Sequence, residues 1–442
     1  MYVKNRDELL SHGNRSLRAA ALDIAEYTLQ RVDPYRVTRD LVRLKGNTLN
    51  VGELTYDLSG GRRIYVLGAG KASLPIARAL EDVLGECISD SLVIVKAGQE
   101  SGTRIVHLRE ASHPLPDERG FEAAQDMVRM ARGMREGDIA FCAITGGSSA
   151  LAPFPVAGVT LPEKREVHRL LLECGASIRE INAVRKHLSQ IKGGRLALAI
   201  FPAEIVNLTV SDVTGDPYDY ITCPTVPDTS TFEDARRVLT RYRLWERMPA
   251  SVVRYLRQAT PDLENPKDFG EHRAHTFLLL KSGEVCSAAA EAAARLGFTP
   301  HVLTCEMEGD STEEGRAFEA RLAAMPAGPA ALIAGGETTV TLDAPGGEGG
   351  PNQEFALSAA LGIARPDEVV LSLDTDGTDG PTALAGGLVD ESTLRQSADL
   401  GLDPRDALRR HDVSPLLRRV KDAVVTGHTG TNVNDLKLGL RG

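Results

Sequence analysis

The chain is predicted to be an α/β protein built from two lobes. Short apolar strands alternate with helical patterns along its 442 residues, several of those strands run into Gly-rich or acidic loops, and composition shifts around Pro249 to Arg273. The net charge of −10 argues for a soluble protein and against a nucleic-acid surface as its main feature, so an anionic ligand must be met by local cations. No apolar run approaches a membrane span, the start Met-Tyr-Val-Lys-Asn-Arg-Asp lacks the apolar stretch of a signal peptide, and a cytoplasmic location is expected. Six scattered cysteines without a CxxC pair read as buried free thiols rather than a zinc site.

In the first lobe, residues 5 to 32 carry apolar positions at three- and four-residue steps and are expected to form a helix ending before Pro34. Arg63 to Leu67 reads as a strand, followed by the turn Gly68-Ala-Gly70-Lys71 and a helix from Leu74 to Leu84 with Gly85 just past its end. Free N–H groups and the helix dipole make such a turn an anion site, to which Lys71 adds a full charge. The spacing is not that of a Walker A loop. A dinucleotide fingerprint is also poorly met, because Ser73 replaces the third glycine and the next strand ends in Lys96 rather than an acid.

A second strand, Ile139 to Ile144, runs into Gly146, Gly147, Ser148 and Ser149, a nest of backbone donors with hydroxyls. After a charged helix reaching Gly175, the stretch Ile181 to Arg195 brings four cations, Arg185, Lys186, Lys192 and Arg195, which suit a carboxylate or phosphate. The strand 204–210 ends in a loop holding Asp212 and Asp216. If the sheets are parallel, all of these strand-end loops face one cleft.

The second lobe is expected to repeat the strand-helix alternation from His275, with Gly335, Gly336 and Glu337 at one strand end. The tract Gly346 to Gly350 is mobile by composition and leads into Pro351-Asn352-Gln353-Glu354 at a helix start. Val369 to Leu373 then delivers Asp374, Asp376 and Asp379 to a tight loop, where mutual repulsion calls for a cation or a proton. An EF-hand is excluded, because the sixth and twelfth loop positions are Asp379 and Ala385. Helices near 391–419, a strand at Ala423 to Val425 and a polar turn with Thr429 and Asn432 close the chain.

Taken together, Gly68-Ala-Gly-Lys71, His113-Pro-Leu-Pro-Asp117, Gly146-Gly-Ser-Ser149, Asn182 to Gly194, Ser211 to Asp216, Gly335-Gly-Glu-Thr338, Asn352-Gln-Glu354, Asp374 to Thr382 and Thr429 to Asp435 resemble the class II glycerate 2-kinases, in the same order and over nearly the whole chain. The resemblance implies an N-terminal Rossmann-like domain, residues 1–248, and a MOFRL-type α/β domain, residues 270–442, whose last segment is free to pack back on the first. It places the active site in the cleft between them. There ATP would phosphorylate the 2-hydroxyl of D-glycerate with Mg²⁺. Lys71, Asp374, Asp376 and Asp379 would be catalytic, and the three aspartates would hold the metal. Arg185, Lys186, Lys192, Asn352 and Glu354 would bind the substrate. The nucleotide would be met by Gly68, Gly70, Gly146 to Ser149, Asp212, Asp216, Gly335, Gly336, Glu337, Thr429 and Asn432. A homodimer is compatible with this reading.

Three departures matter. Where the family commonly has Gly-Gly-Arg-Asn-Gln-Glu this chain has Pro351 in place of the Arg. Thr222-Cys223 stands for Ser-Gly, and His428 for Pro. Loss of the guanidinium keeps a kinase for another small hydroxy or sugar acid open. An NAD(P)H-dependent hydroxypyruvate reductase and a non-catalytic metabolite sensor are the remaining alternatives.

Overall fold

The computed structural model describes residues 1–99, 102–211, 218–221, 223–281, 283–342 and 346–442. It divides into a unit of Pro34–Leu279 and a unit of Met1–Asp33 with Leu280–Gly442.

The Pro34–Leu279 unit opens on a three-stranded antiparallel sheet, β1 (Val42–Lys45), β2 (Thr48–Val51) and β3 (Leu54–Asp57). Its main sheet comprises β4 (Ile64–Ala69), β5 (Ile88–Lys96), β6 (Leu108–Ala111), β7 (Ile139–Ile144), β8 (Glu204–Val210) and β9 (Ala274–Leu280), in the order β6-β5-β4-β7-β8-β9. The pairs β5–β6, β4–β5, β4–β7 and β7–β8 are parallel. Every residue of β4, β7 and β8 is buried, which is why these strands read as unbroken apolar runs rather than alternating ones. The order turns back on itself between β4 and β7, a topological switch point of the kind that binds ligands beyond the strand ends.

Beside this sheet, helices Leu161–Glu173, Ile178–His187, Phe232–Arg241 and Ala250–Gln258 bury a core of their own that includes Val167, Leu171, Val184, Leu239 and Val252. Three of them start on reciprocal capping boxes, Thr160 with Glu163, Ser177 with Glu180 and Thr231 with Asp234, which set where each helix begins.

The other unit carries a mixed sheet of β10 (Thr299–Met307), β11 (Ala330–Gly336), β12 (Glu368–Asp374), β13 (Gly386–Asp390), β14 (Ala423–Val424) and β15 (Asp435–Arg441), in the order β10-β11-β15-β12-β13-β14. Only β10 and β11 are parallel to each other as neighbours; β15 runs antiparallel to both β11 and β12. The start of β15 therefore meets the ends of both neighbours, with Asp435 opposite Gly336 on one side and Asp374 on the other.

This division differs from the expected domains 1–248 and 270–442. Residues 1–33 belong with the C-terminal sheet, because the fully buried Arg18 donates to Asp390 at 2.7 Å and Asp422 at 2.8 Å. Helix Ala250–Gln258, in the stretch expected to separate the domains, is part of the helical core just described. The last segment forms β15, at the centre of the second sheet. The expected helix over 5–32 is two, Arg6–Leu9 and Arg15–Arg31, parted by Gly13 at φ +64° and restarted by the Asn14 cap. Gly346–Gly350 is fastened rather than loose, since Gly347 N–H donates to Arg410 O and Glu348 N–H to Asp412 Oδ1. Among the described residues no helix is long and apolar enough to cross a membrane, and all six cysteines are free, Cys87 being exposed.

Candidate functional site

At the switch point the loops after β4 and β7 lock together. Lys71 N–H donates to Gly146 O at 2.8 Å, and Ala72 N–H to Thr145 Oγ1 at 3.2 Å. Gly70, at φ +145°, is required there, because a Cβ would lie 2.1 Å from Thr145 Oγ1. Gly68 has a different place from the one expected. It lies inside β4, where a Cβ would press on Val93 and Ala143 O, so it serves sheet packing rather than a ligand. Gly147, at φ +86°, is flanked on both sides: a Cβ on it would sit 3.2 Å from His113 Nε2 and 3.3 Å from Lys71 Cγ. Ser148 and Ser149 then open the short helix Ser148–Leu151.

Ser149 continues this turn into a basic pocket. Lys192 Nζ donates to Ser149 Oγ at 2.5 Å and lies 3.4 Å from Cys223 Sγ. Lys164 Nζ donates to Leu188 O at 3.3 Å. Arg185 enters from helix Ile178–His187, and Pro114, Leu115, Pro116, Arg165 and His168 complete the lining. Burial, and then mutual repulsion, lowers the Lys164 pKa well below its usual value; Lys192 is lowered too, by burial first, and burial lowers that of Arg185. His168 is pushed down to about 4 by burial and by the same three cations, so its ring is neutral near pH 7. Among the described residues no carboxylate pairs with Lys164, Arg185 or Lys192. A half-buried concentration of positive charge without paired acids suits an anion.

Of the four cations expected from Ile181 to Arg195, only two reach this pocket. Lys186 is instead held by Asp219 at 2.9 Å and Asp228 at 3.0 Å, in a buried ion pair, and Arg195 donates to Asn265 and Leu263 O. Lys164, Arg165 and His168 were not singled out by the sequence reading. The signal was present: Lys164 and His168 stand four apart on one helix, facing the same way.

In the C-terminal unit, Asp374 accepts from Asp376 N–H at 2.9 Å, and Asp376 accepts from Thr378 N–H at 2.8 Å and Thr378 Oγ1 at 2.7 Å. The loop holding Thr429 and Asn432 is pinned beside them: Thr429 N–H donates to Asp376 O, Thr429 Oγ1 donates to Thr375 O, and Thr375 Oγ1 donates to Asn434 O. Thr431 Oγ1 is buried there with no partner among the described atoms. Gly335 and Gly336 end β11 next to this loop pair, with Gly336 O accepting from the buried Lys437 at 3.2 Å, and Glu337 is exposed.

Three expected site residues are committed elsewhere. Asp379 accepts both N–H donors of Asn352 and both of Gln353, at 2.9 to 3.2 Å, and so caps helix Pro351–Ala360. Asn352 completes that network by accepting from Ser372 at 2.6 Å. Glu354 is buried against His411 at 3.0 Å. Pro351 occupies the first position of this helix, where a missing N–H costs nothing. Asp212 and Asp216 lie outside the described residues.

No trio of His, Cys, Asp or Glu suited to a metal exists among the described residues. A Mg²⁺ that travels with a nucleotide needs less, one or two carboxylates plus phosphate oxygens. Asp374 and Asp376 fit that requirement, whereas Asp379, with its four N–H donors, does not.

A family model described as a domain of unknown function, DUF4147, matches residues 20–257, and one described as the MOFRL family matches residues 330–435. The chain is 37% identical over 440 residues to the glycerate 2-kinase of Pyrococcus horikoshii, covering 96% of this chain and 97% of that one. An Agrobacterium vitis protein provisionally named as a hydroxypyruvate reductase is 39% identical over 389 residues, covering 86% of this chain and all (100%) of that one. The crystal structure of a glycerate kinase from Thermotoga maritima superposes with a TM-score of 0.82 at 36% identity, covering 97% of this chain and 100% of that one. The chain belongs to the glycerate kinase family with a MOFRL C-terminal domain.

Proposed function

We propose that the protein phosphorylates the 2-hydroxyl of D-glycerate with ATP to give 2-phosphoglycerate. The observation that carries this reading is the continuity of the Gly146–Ser149 turn, which has Lys71 against Gly147 and Lys192 hydrogen-bonded to Ser149. A phosphate-binding turn and a carboxylate-binding pocket thus share one segment.

Phosphoryl transfer asks for positioning and charge neutralisation more than for covalent chemistry. Arg185 grips the carboxylate, and Lys192, steadied by Ser149, orients the hydroxyl end. Lys71 neutralises charge on the transferring phosphoryl group, and the Gly146–Gly147 backbone cradles it. When bound, Mg²⁺ neutralises nucleotide phosphate charge, and Asp374 and Asp376 are the residues that would hold it.

The test is ADP release from Mg·ATP against D- and L-glycerate, tartronate, threonate and erythronate, with NMR identification of the product. Turnover with D-glycerate giving the 2-phosphate is expected. Turnover only with another acid would reassign the substrate, and ADP formation with none would overturn the kinase reading. The reductase name of the Agrobacterium relative makes NADH oxidation with hydroxypyruvate the matching control, and no oxidation is expected.

A further inference from the structure

The basic pocket holds more charge than the proposed substrate can answer. Lys164 and Arg185 line it, and Lys192 reaches it through Ser149 and acts electrostatically on Lys164; the hydrogen bonds of the two lysines go to neutral groups only, Leu188 O from Lys164 and Ser149 Oγ and Cys223 Sγ from Lys192. Arg165 lines the same pocket, donating to Pro116 O, while its Nε is buried without a partner among the described atoms. His168 stands among these cations with Nδ1 likewise unpartnered. The neighbouring acids are spent elsewhere: Glu163 on the Thr160 cap and Ser251, Glu166 on Arg169, Glu180 on the Ser177 cap and Arg241, and Asp219 and Asp228 on Lys186.

D-Glycerate brings one negative charge. With its carboxylate on Arg185, the two lysines remain uncompensated in a half-buried site. A phosphorylated hydroxy acid brings a carboxylate and a phosphate dianion, which together answer Lys164, Arg185 and Lys192, while Arg165 is turned to Pro116 O, and His168 supplies a neutral ring nitrogen for a remaining hydroxyl or phosphate oxygen.

We propose, resting on the kinase reading above, that the Lys164–Arg185–Lys192 pocket is charge-matched to the phosphorylated hydroxy acid rather than to its monoanionic precursor. The transferred phosphoryl group comes to rest between Lys164 and Lys192, so the product is held more tightly than the substrate and competes with it. A dicarboxylate such as tartronate, with two charges, falls between them. Burial lowers the pKa of both lysines, and an arriving polyanion favours their charged forms, so binding is accompanied by proton uptake from solvent.

Isothermal titration of the full chain without nucleotide tests this, using D-glycerate, tartronate and 2-phosphoglycerate in two buffers of different ionisation enthalpy. Affinity is expected to rise in that order, with 2-phosphoglycerate at least about tenfold tighter than D-glycerate and accompanied by net proton uptake. Lys164→Met is expected to remove most of the difference between the two ligands, and Lys164→Arg to restore it, with circular dichroism verifying that both fold. Equal affinity for D-glycerate and 2-phosphoglycerate in the wild type, or a difference untouched by Lys164→Met, would overturn the proposal. The two readings fail separately. Normal D-glycerate turnover with no preference for the product sinks only the charge match, whereas the expected affinity order without any turnover sinks only the kinase.

Discussion

Lys192 Nζ lies 2.5 Å from Ser149 Oγ, joining the residue that ends the glycine turn after β7 to a cation 43 positions later in the chain. The hydroxyl holds a buried ammonium in place without neutralising it. Ser149→Ala should therefore weaken hydroxy-acid binding less than Lys192→Met does. Removing a charge-assisted hydrogen bond at a desolvated site costs about 1.5–3 kcal/mol, so Lys192→Met should raise KM for the acid about 10- to 150-fold. Steady-state kinetics on both variants measure the pair, and a larger effect from Ser149→Ala would remove Lys192 from direct substrate contact.

Arg185 and Lys186 are neighbours with opposite expected behaviour. Lys186→Met strands Asp228, whose side chain is fully buried, and should cost about 3–5 kcal/mol in urea unfolding. Arg185→Gln removes a cation that has no carboxylate partner among the described residues. It should leave the unfolding midpoint unchanged or raised, while KM for the hydroxy acid climbs. A stability loss in Arg185→Gln comparable to that of Lys186→Met would contradict the assignment of Arg185 to substrate.

Lys71 sits at the switch point with its backbone N–H on Gly146 O and its side chain against Gly147. Lys71→Ala should lower kcat about 10²- to 10³-fold, the range typical for removing one electrostatic stabiliser of a transition state, with thermal unfolding unaltered. Near-normal turnover would take Lys71 out of the mechanism.

Asp379 tests the acidic loop through pH. Burial raises its pKa from 3.8 to about 6 in spite of the four N–H donors it accepts. The folded state therefore binds this proton more tightly than the unfolded one. The associated stability is fully present below pH 3.8 and is lost as pH rises through about 6. The shift corresponds to about 3 kcal/mol. The stability of the wild type relative to Asp379→Asn should fall across that window, as urea unfolding at a series of pH values will measure. A flat difference would mean that Asp379 is not the titrating group.

Much of this architecture was legible before any coordinates. The apolar runs of β4, β7, β11 and β12 announce themselves locally, because buried strands are written in adjacent residues. β15 did not stand out, since seven residues with charge at Asp435, Lys437 and Arg441 do not look like the centre of a sheet. What makes it central is that Lys437 finds Asp435 and Gly336 O within the fold.

The sequence by itself determined the α/β class, the strand-end loops and the turn that carries Lys71, all of which depend on short-range spacing and periodicity. Only the tertiary structure decided which charges are spent and which remain for a ligand. Lys186 and Asp379 look as available in the sequence as Arg185 and Asp374 do, yet one is buried against Asp219 and Asp228 and the other against the start of a helix. A side chain's chemistry is set by its partners, and those partners lie tens of residues away, where no local pattern can name them.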